Sequence, residues 1–387
     1  MPIPGRYRPA AVFAALAAAL MLAIAGCGSS SSSSSASMSG SHSSANSPAS
    51  LLKAAYAGTV EQPPTGTLTA PKGLSVWAIS CGQIVPSCVI PTAATMAAGK
   101  SVGWSMHECD GQLNPSGWAN CVRQAIAAKA KVIIITGVDC TFLSAPVAAA
   151  RKAGIIVIGN GGFDCTENGG KSEYNATLDY LTNGTAQQWW EGIGKLQADW
   201  VIGKTDGKAK VLLLNFTDEV WGAMITAGFK QQLATCHGCS IAETVDMSNA
   251  DNANGTMRTK FSTALLQNPG VNAVVLPIDG WFSSGLATAI TSSARASSLN
   301  VIGAQPTPGN ITLIKEHQGE DATVAFDSTQ GSYGAVDEAI RVLTHQPIVT
   351  EGIGYQVIDS SHLPSGPAFV MPNNYKAVYA KDWGASS

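Results

Sequence analysis

Charge is scarce in this chain. Only 13% of its 387 residues are Asp, Glu, Lys or Arg, and 23 basic against 26 acidic side chains leave a net charge of −3. Without a basic excess there is no electrostatic footprint for nucleic acid or for anionic lipid headgroups. Histidine is scarce too: the six present form no ligand-spaced cluster, and His107-Glu108 lacks the second His that a zinc-protease helix requires. No Gly-x-Ser-x-Gly elbow supplies a hydrolase nucleophile. Gly170-Lys171-Ser172 imitates the end of a phosphate-binding loop, but Cys165 stands where its first glycine should be. These absences leave the chain without visible catalytic machinery, metal ligands or a cofactor motif.

What is present begins at the N-terminus. Arg6 and Arg8 precede an apolar run from Ala10 to Ala25, and Ile24-Ala25-Gly26-Cys27 follows. That is the layout of a signal peptide over residues 1–26, not of a spanning helix. The tetrapeptide resembles the bacterial lipobox, which implies cleavage before Cys27 and a lipid on its thiol. The mature chain would then be anchored outside the cytoplasmic membrane, where stable attachment takes more than one acyl chain. Ser29 to Ser50 is nearly all serine with small residues, too poor in apolar surface to offset the entropy of ordering. Residues 27–71 therefore read as a tether, with a helical fragment at Leu51–Ala57 and breaks at Pro63-Pro64 and Pro71, and folding is expected to start near Lys72.

Besides Cys27 there are eight cysteines: Cys81, Cys88, Cys109, Cys121, Cys140, Cys165, Cys236 and Cys239. An even number in an exported chain points to disulfides. About 105 connectivities are formally possible, and sequence proximity favours Cys81 with Cys88, Cys109 with Cys121, Cys140 with Cys165, and Cys236 with Cys239. The last pair, in Cys-His-Gly-Cys, reads either as a structural bridge or as a redox pair.

The body alternates apolar runs rich in β-branched residues with amphipathic stretches. Strands are expected at Leu74–Ser80, Ser101–Met106, Val132–Thr136 and Ile155–Gly159, then at Val211–Phe216, Ile241–Asp246, Ala273–Pro277, Val301–Ala304 and Thr323–Phe326. Helices are expected between them, at Thr92–Ala98, Trp118–Lys131 with Ser116 as its cap, Ala145–Ala153, Trp189–Ile202, Trp221–Leu233, Thr256–Gln267, Gly285–Ala296, Ile311–Glu316 and Gly334–Leu343. Such alternation predicts an α/β protein with two doubly wound parallel-sheet lobes.

The order of several pieces resembles the type I periplasmic solute-binding proteins of the ribose-binding kind. They are Ala145-Pro146-Val147 leading through Arg151-Lys152-Ala153-Gly154 into Ile155-Ile156-Val157-Ile158, then Ala227-Gly228-Phe229-Lys230 and Val271-Asn272-Ala273-Val274-Val275-Leu276 followed by Asp279. Asn300-Val301-Ile302-Gly303 and Ala322-Thr323-Val324-Ala325-Phe326 leading to Gln330 complete the series. The resemblance covers about Lys72 to Asp359. It implies a three-stranded hinge crossing near Thr182–Gln188, Phe326–Ser328 and Glu351–Tyr355, with residues 72–186 plus 327–353 in one lobe and 187–326 plus 354–387 in the other. It also implies a monomer that binds a small ligand, sugar or sugar-like, and delivers it to an ABC permease. A ligand-sensing module for a membrane receptor and an extracellular enzyme on the same scaffold are the alternatives.

In open parallel sheets, ligands bind beyond the carboxyl ends of the strands. Candidate contacts at those ends are Ser80, Gln83, Asp139, Asn160, Asp164, Trp221, Asp279, Trp281, Gln305 and Asp327. Their carboxylates, amides and rings suit a neutral polyhydroxylated or amphiphilic molecule, although Trp221 and Trp281 can equally be packing residues. Relative to the family, Gly161-Gly162 stands where an Asp-Arg pair grips sugar hydroxyls, Ala223 stands near the position of an arginine, and Ala304-Gln305 replaces a Phe-Asp pair. Asp279 is the contact best carried over by the resemblance.

Overall fold

The structure, a computed structural model, describes residues 47–181 and 184–385. The signal segment, Cys27 and the serine-rich stretch to residue 46 lie outside the described residues.

Order begins earlier than Lys72. Ser47 caps helix α1 (Pro48–Ala57) by accepting the Ser50 N–H, and proline occupies the first helical turn, where its missing N–H costs nothing. The tether expected over 27–71 is thus corrected for its second half. The Tyr56 hydroxyl donates to Asp359, Thr59 pairs with Tyr355 in an antiparallel bridge, and the Leu68 N–H donates to the Asp382 carbonyl. Beyond the helical fragment, composition does not reveal this docking, because the partners lie some three hundred residues away in sequence.

Next come β1 (Ser75–Ser80), α2 (Pro86–Ser101), β2 (Ser105–Asp110), α3 (Pro115–Ala127), β3 (Val132–Thr136), α4 (Ser144–Lys152), β4 (Ile156–Asn160) and β5 (Ala176–Thr177). They form a parallel sheet in the order β2-β1-β3-β4-β5. β3 is buried at every position, which is why an unbroken Val-Ile-Ile-Ile run marks it. The expected strand Ser101–Met106 is displaced to Ser105–Asp110. α2 continues to Ser101, and the turn through Gly103, at φ +81°, consumes the intervening residues, so Val102 and Trp104 pack without pairing. The cap of α3 is Asn114, whose side chain accepts the Gly117 N–H at 2.9 Å, and Ser116 sits inside the helix.

The second set comprises α5 (Ala186–Lys204), β6 (Lys210–Phe216), α6 (Val220–Leu233), β7 (Ser240–Met247), α7 (Asn249–Asn254), α8 (Thr256–Gln267), β8 (Ala273–Val275), α9 (Ala287–Thr291), β9 (Asn300–Ala304), α10 (Pro308–Glu316), β10 (Ala322–Phe326), α11 (Ser328–Thr344), β11 (Tyr355–Asp359) and α12 (Tyr375–Asp382). Its sheet runs β11-β10-β9-β8-β6-β7, parallel except for β11, which is antiparallel to β10. The helix expected over Gly285–Ala296 is broken. A wide turn at Phe282–Leu286 contains Gly285 at φ +109°, and α9 ends at Thr291.

Although α11 follows β10 of the second sheet, it packs on α2 and β4 of the first, and the chain then returns to β11. The connecting segments lie side by side: the Glu351 N–H donates to the Asp179 carbonyl at 2.7 Å and the Ile353 N–H to the Tyr180 carbonyl at 2.8 Å. Gln330 on α11 ties to the same segment through its amide, donating to the carbonyls of Glu351 and Gly352. Two doubly wound parallel sheets with their carboxyl ends turned toward one cleft result. The eight cysteines pair as proximity favours, Cys81–Cys88, Cys109–Cys121, Cys140–Cys165 and Cys236–Cys239. Among the described residues no helix is long and apolar enough to cross a membrane.

Candidate functional site

A cavity of about 460 Å³ lies between the carboxyl ends of the two sheets, the place where loops from both can reach one ligand. Asn160, Trp221, Trp281, Gln305 and Asp327 from the expected set line it. Asn160 ends β4 and donates through Nδ2 to Ser332 on α11 at 3.2 Å. Gln305 follows β9 in the left-handed region at φ +64° and donates to the Pro277 carbonyl. Asp327 caps α11 by accepting the N–H groups of Thr329 and Gln330, so much of its acceptor capacity is already committed.

The other five do not reach the cavity wall. Ser80 is fully buried at the end of β1, and beside Gln83 it is Ile84 and Val85 that line the site. Asp139 is buried, accepting the N–H groups of Phe163 at 2.8 Å and Val220 at 3.0 Å. Asp164 staples its own loop. Burial pushes its carboxyl up, but N–H bonds from Tyr174, Glu173 and Cys165 outweigh that and hold it below the usual carboxylate range. Asp279, expected to face the ligand, is turned into the core. Its neighbours Ile278 and Gly280 line the cavity, while its own carboxyl accepts the Thr323 hydroxyl at 2.6 Å with no exposed surface. A Cβ at Gly303 would sit 1.8 Å from its Oδ1, so the small residue before Ala304 makes room for it. Burial pushes the Asp279 carboxyl up to about 8, and beside it burial and the charge of Asp279 push Glu320 up as well.

Most of the wall is built from residues outside the expected set. Tyr180, Trp190, Phe216 and Trp221 form a chain of ring contacts along it, with Trp190 and Trp221 stacked at 5.4 Å. The Trp189-Trp190 pair opening α5 was the available signal, since that helix starts just after the chain first leaves the first sheet. Trp221 and Trp281 are 7% and 3% exposed, so they pack as they line and offer edges more than open faces. Asn249, Asn252 and Glu219 add polar groups, and no Lys, Arg or His lines the cavity among the described residues. Glu219 is the unusual member. Burial, then the charge and hydrogen bond of Asp139, then the charge of Asp218 push it up to about 9. Cys140, Asp164 and Cys165 lie close enough to share a metal, but both sulfurs are bonded to each other and offer no thiolate.

Known proteins agree with this geometry. Residues 93–347 match the family model described as a periplasmic binding protein domain. Against curated protein sequences nothing matches. Among solved structures, a glucose-galactose binding protein from Geobacillus stearothermophilus is similar at TM-score 0.62 and 20% identity, over 76% of this chain and 100% of that one. A solute-binding protein from Mycobacterium smegmatis with bound glycerol gives 0.63 and 17%, over 77% and 99%. One from Bacillus halodurans with bound myo-inositol gives 0.62 and 19%, over 81% and 100%. The structural neighbours share the two-sheet fold, and with the family model spanning most of both lobes, this chain belongs to the periplasmic binding protein domain family.

Proposed function

We propose that the protein is a solute-binding lipoprotein of an ABC importer, held outside the cell membrane by a lipid on Cys27, that closes its two lobes on a small uncharged polyhydroxylated ligand. One observation carries the reading: a ligand-sized cavity walled by the carboxyl ends of both sheets, rich in amides and ring edges and, among the described residues, free of cationic side chains. Asn160, Asn249, Asn252 and Gln305 can each donate and accept, as sugar or polyol hydroxyls require. An anionic ligand would meet Asp327, and Glu219 with the Asp139 carboxylate behind it, with no compensating cation in the wall among the described residues, and burying it there would be costly. The glycerol and myo-inositol bound in two structural neighbours, and a third described as a glucose-galactose binding protein, fit the same chemistry. A ligand that binds only the folded state raises the melting temperature by mass action. In a thermal-shift panel, neutral sugars and polyols should raise the transition while sugar phosphates and sugar acids leave it unmoved. A shift confined to the anionic compounds would sink this reading. For the anchor, Cys27→Ser should abolish incorporation of labelled palmitate, and label persisting in that variant would remove Cys27 as the attachment site.

A further inference from the structure

Asp139 and Glu219 meet across the cleft. Asp139 follows β3 of the first sheet, and Glu219 lies between β6 and α6 of the second. The Asp139 carboxylate accepts one N–H from its own lobe, Phe163, and one from the opposite lobe, Val220 at the start of α6. The Glu219 carboxyl comes up beside Asp139, close enough for the two to act on each other, and its Oε2 is buried with no other hydrogen-bond partner. Two ionised carboxylates offer only acceptors, so the pair can share a hydrogen bond only while one of them carries a proton.

The surroundings make Glu219 the carrier. Asp139 is raised by burial, but the N–H groups of Phe163 and Val220 and the bond from Glu219 favour its charged form. The titratable groups facing the pair are the phenols of Tyr174 and Tyr180, from the segments flanking β5, and Asp218 beside Glu219. Asp164 acts on Tyr174 from the next loop. Both phenols are pushed up and stay neutral, and Tyr174 spends its hydroxyl on the Val138 carbonyl at 2.9 Å. Among the described residues no ion pair neutralises either acid.

From this contact we infer that Asp139 and Glu219 form a proton-dependent clasp between the lobes: closing the cavity takes up one proton at Glu219, and rising pH releases the clasp. The inference rests on the solute-binding reading only in taking this cavity as the one that opens and closes. With the lobes apart, both acids face water and Glu219 returns from about 9 to its ordinary value of 4.5. Between those two values the open form holds fewer protons than the closed one. The closed-to-open ratio therefore falls by up to about tenfold per pH unit across that window and is flat on either side of it.

Lobe separation in the full-length chain without ligand tests this. Spin labels are carried on ketone-bearing unnatural side chains at Lys152 on α4 and Lys230 on α6, because the eight cysteines of the folded part are bridged. Double electron–electron resonance should show a short distance at about pH 5 giving way to a longer one toward about pH 9. Glu219→Gln keeps an N–H donor for Asp139 without a titrating proton, so its distances should not respond to pH, with circular dichroism as the folding control. A wild-type distribution constant across that range, or the same pH response in Glu219→Gln, overturns the clasp. Since no ligand enters the measurement, a protein that opens with pH yet binds no sugar or polyol loses the transport reading and keeps the clasp.

Discussion

Asp279 shows how a strand-end carboxylate can look like a ligand contact and be a brace. Its hydroxyl partner Thr323 sits on β10 and its own N–H donates to the Ala304 carbonyl at the end of β9, so it links two adjacent strands from inside. Asp279→Ala leaves Thr323 and Glu320 without that partner. It should destabilise the fold by about 1–3 kcal/mol while ligand affinity of the folded fraction stays unchanged; urea unfolding paired with calorimetry checks both parts. The opposite behaviour is expected of Trp221→Ala, whose indole lines the cavity and stacks on Trp190. Loss of one ring from a binding wall should weaken affinity by about tenfold or more, roughly 1.4 kcal/mol. Which of two neighbouring residues turns toward a cleft is decided by a single backbone direction. For that reason the sequence could place Ile278, Asp279 and Gly280 at a strand end but not say which of them faces the ligand.

At the scale of elements, legibility followed burial. β1, β3, β6 and β10 are short apolar runs because both faces of each are covered, and a reader can see that in the residues. By contrast β11 and α12, and the docking of α1, itself legible as a helical fragment at Leu51–Ala57, depend on partners distant in sequence. Tyr56 illustrates the point: its ring stacks on His362 at 3.7 Å and its hydroxyl donates to the Asp359 carboxylate. Tyr56→Phe should cost about 1.5–3 kcal/mol, the worth of a hydrogen bond to a charged acceptor, and a matched urea midpoint in wild type and variant would show α1 to be passive. The bridges make a graded prediction. In the chain-entropy model the loss on removing a disulfide grows with the loop it closes. Sequence separations of 25, 12, 7 and 3 then order the cost as Cys140–Cys165, Cys109–Cys121, Cys81–Cys88 and Cys236–Cys239. Paired Cys→Ala variants compared by unfolding midpoint measure that order, and a dominant effect at Cys236–Cys239 would point instead to local strain or to chemistry at that loop.

The molecule as a whole buries more acids than it neutralises, and this sets its response to pH. Asp199 is raised to about 6 by burial, and Glu219 to about 9 by burial and Asp139. Burial also raises Asp279, Glu320 and, around the segment that returns to β11, Glu338 and Glu351. Asp337 adds its negative charge to the last two, and the ion pair of Arg341 with Asp337 offsets it only in part. Each of these groups keeps its proton in the fold well above the pH at which the unfolded chain gives it up, near 4 to 4.5. Their stabilising contribution is complete below that range and is lost as pH rises toward the folded values, because the unfolded state then binds fewer protons. A few acids pull the other way. Despite partial burial, Asp359 is held down to about 2 by bonds from Tyr56, Ser361 and His362, and Asp164 and Asp251 are also lowered, so their contributions disappear as pH falls below about 4. The two sets together place the stability maximum on the acid side, near pH 4 to 5, with a decline toward pH 9. Melting temperatures measured across that range should fall as pH rises, and Glu338→Gln, which removes one titrating proton from the buried cluster, should flatten the alkaline limb. A melting temperature that climbs between pH 5 and 8 would mean that these acids are charged and paired in solution, and would take the protonated Glu219 down with them.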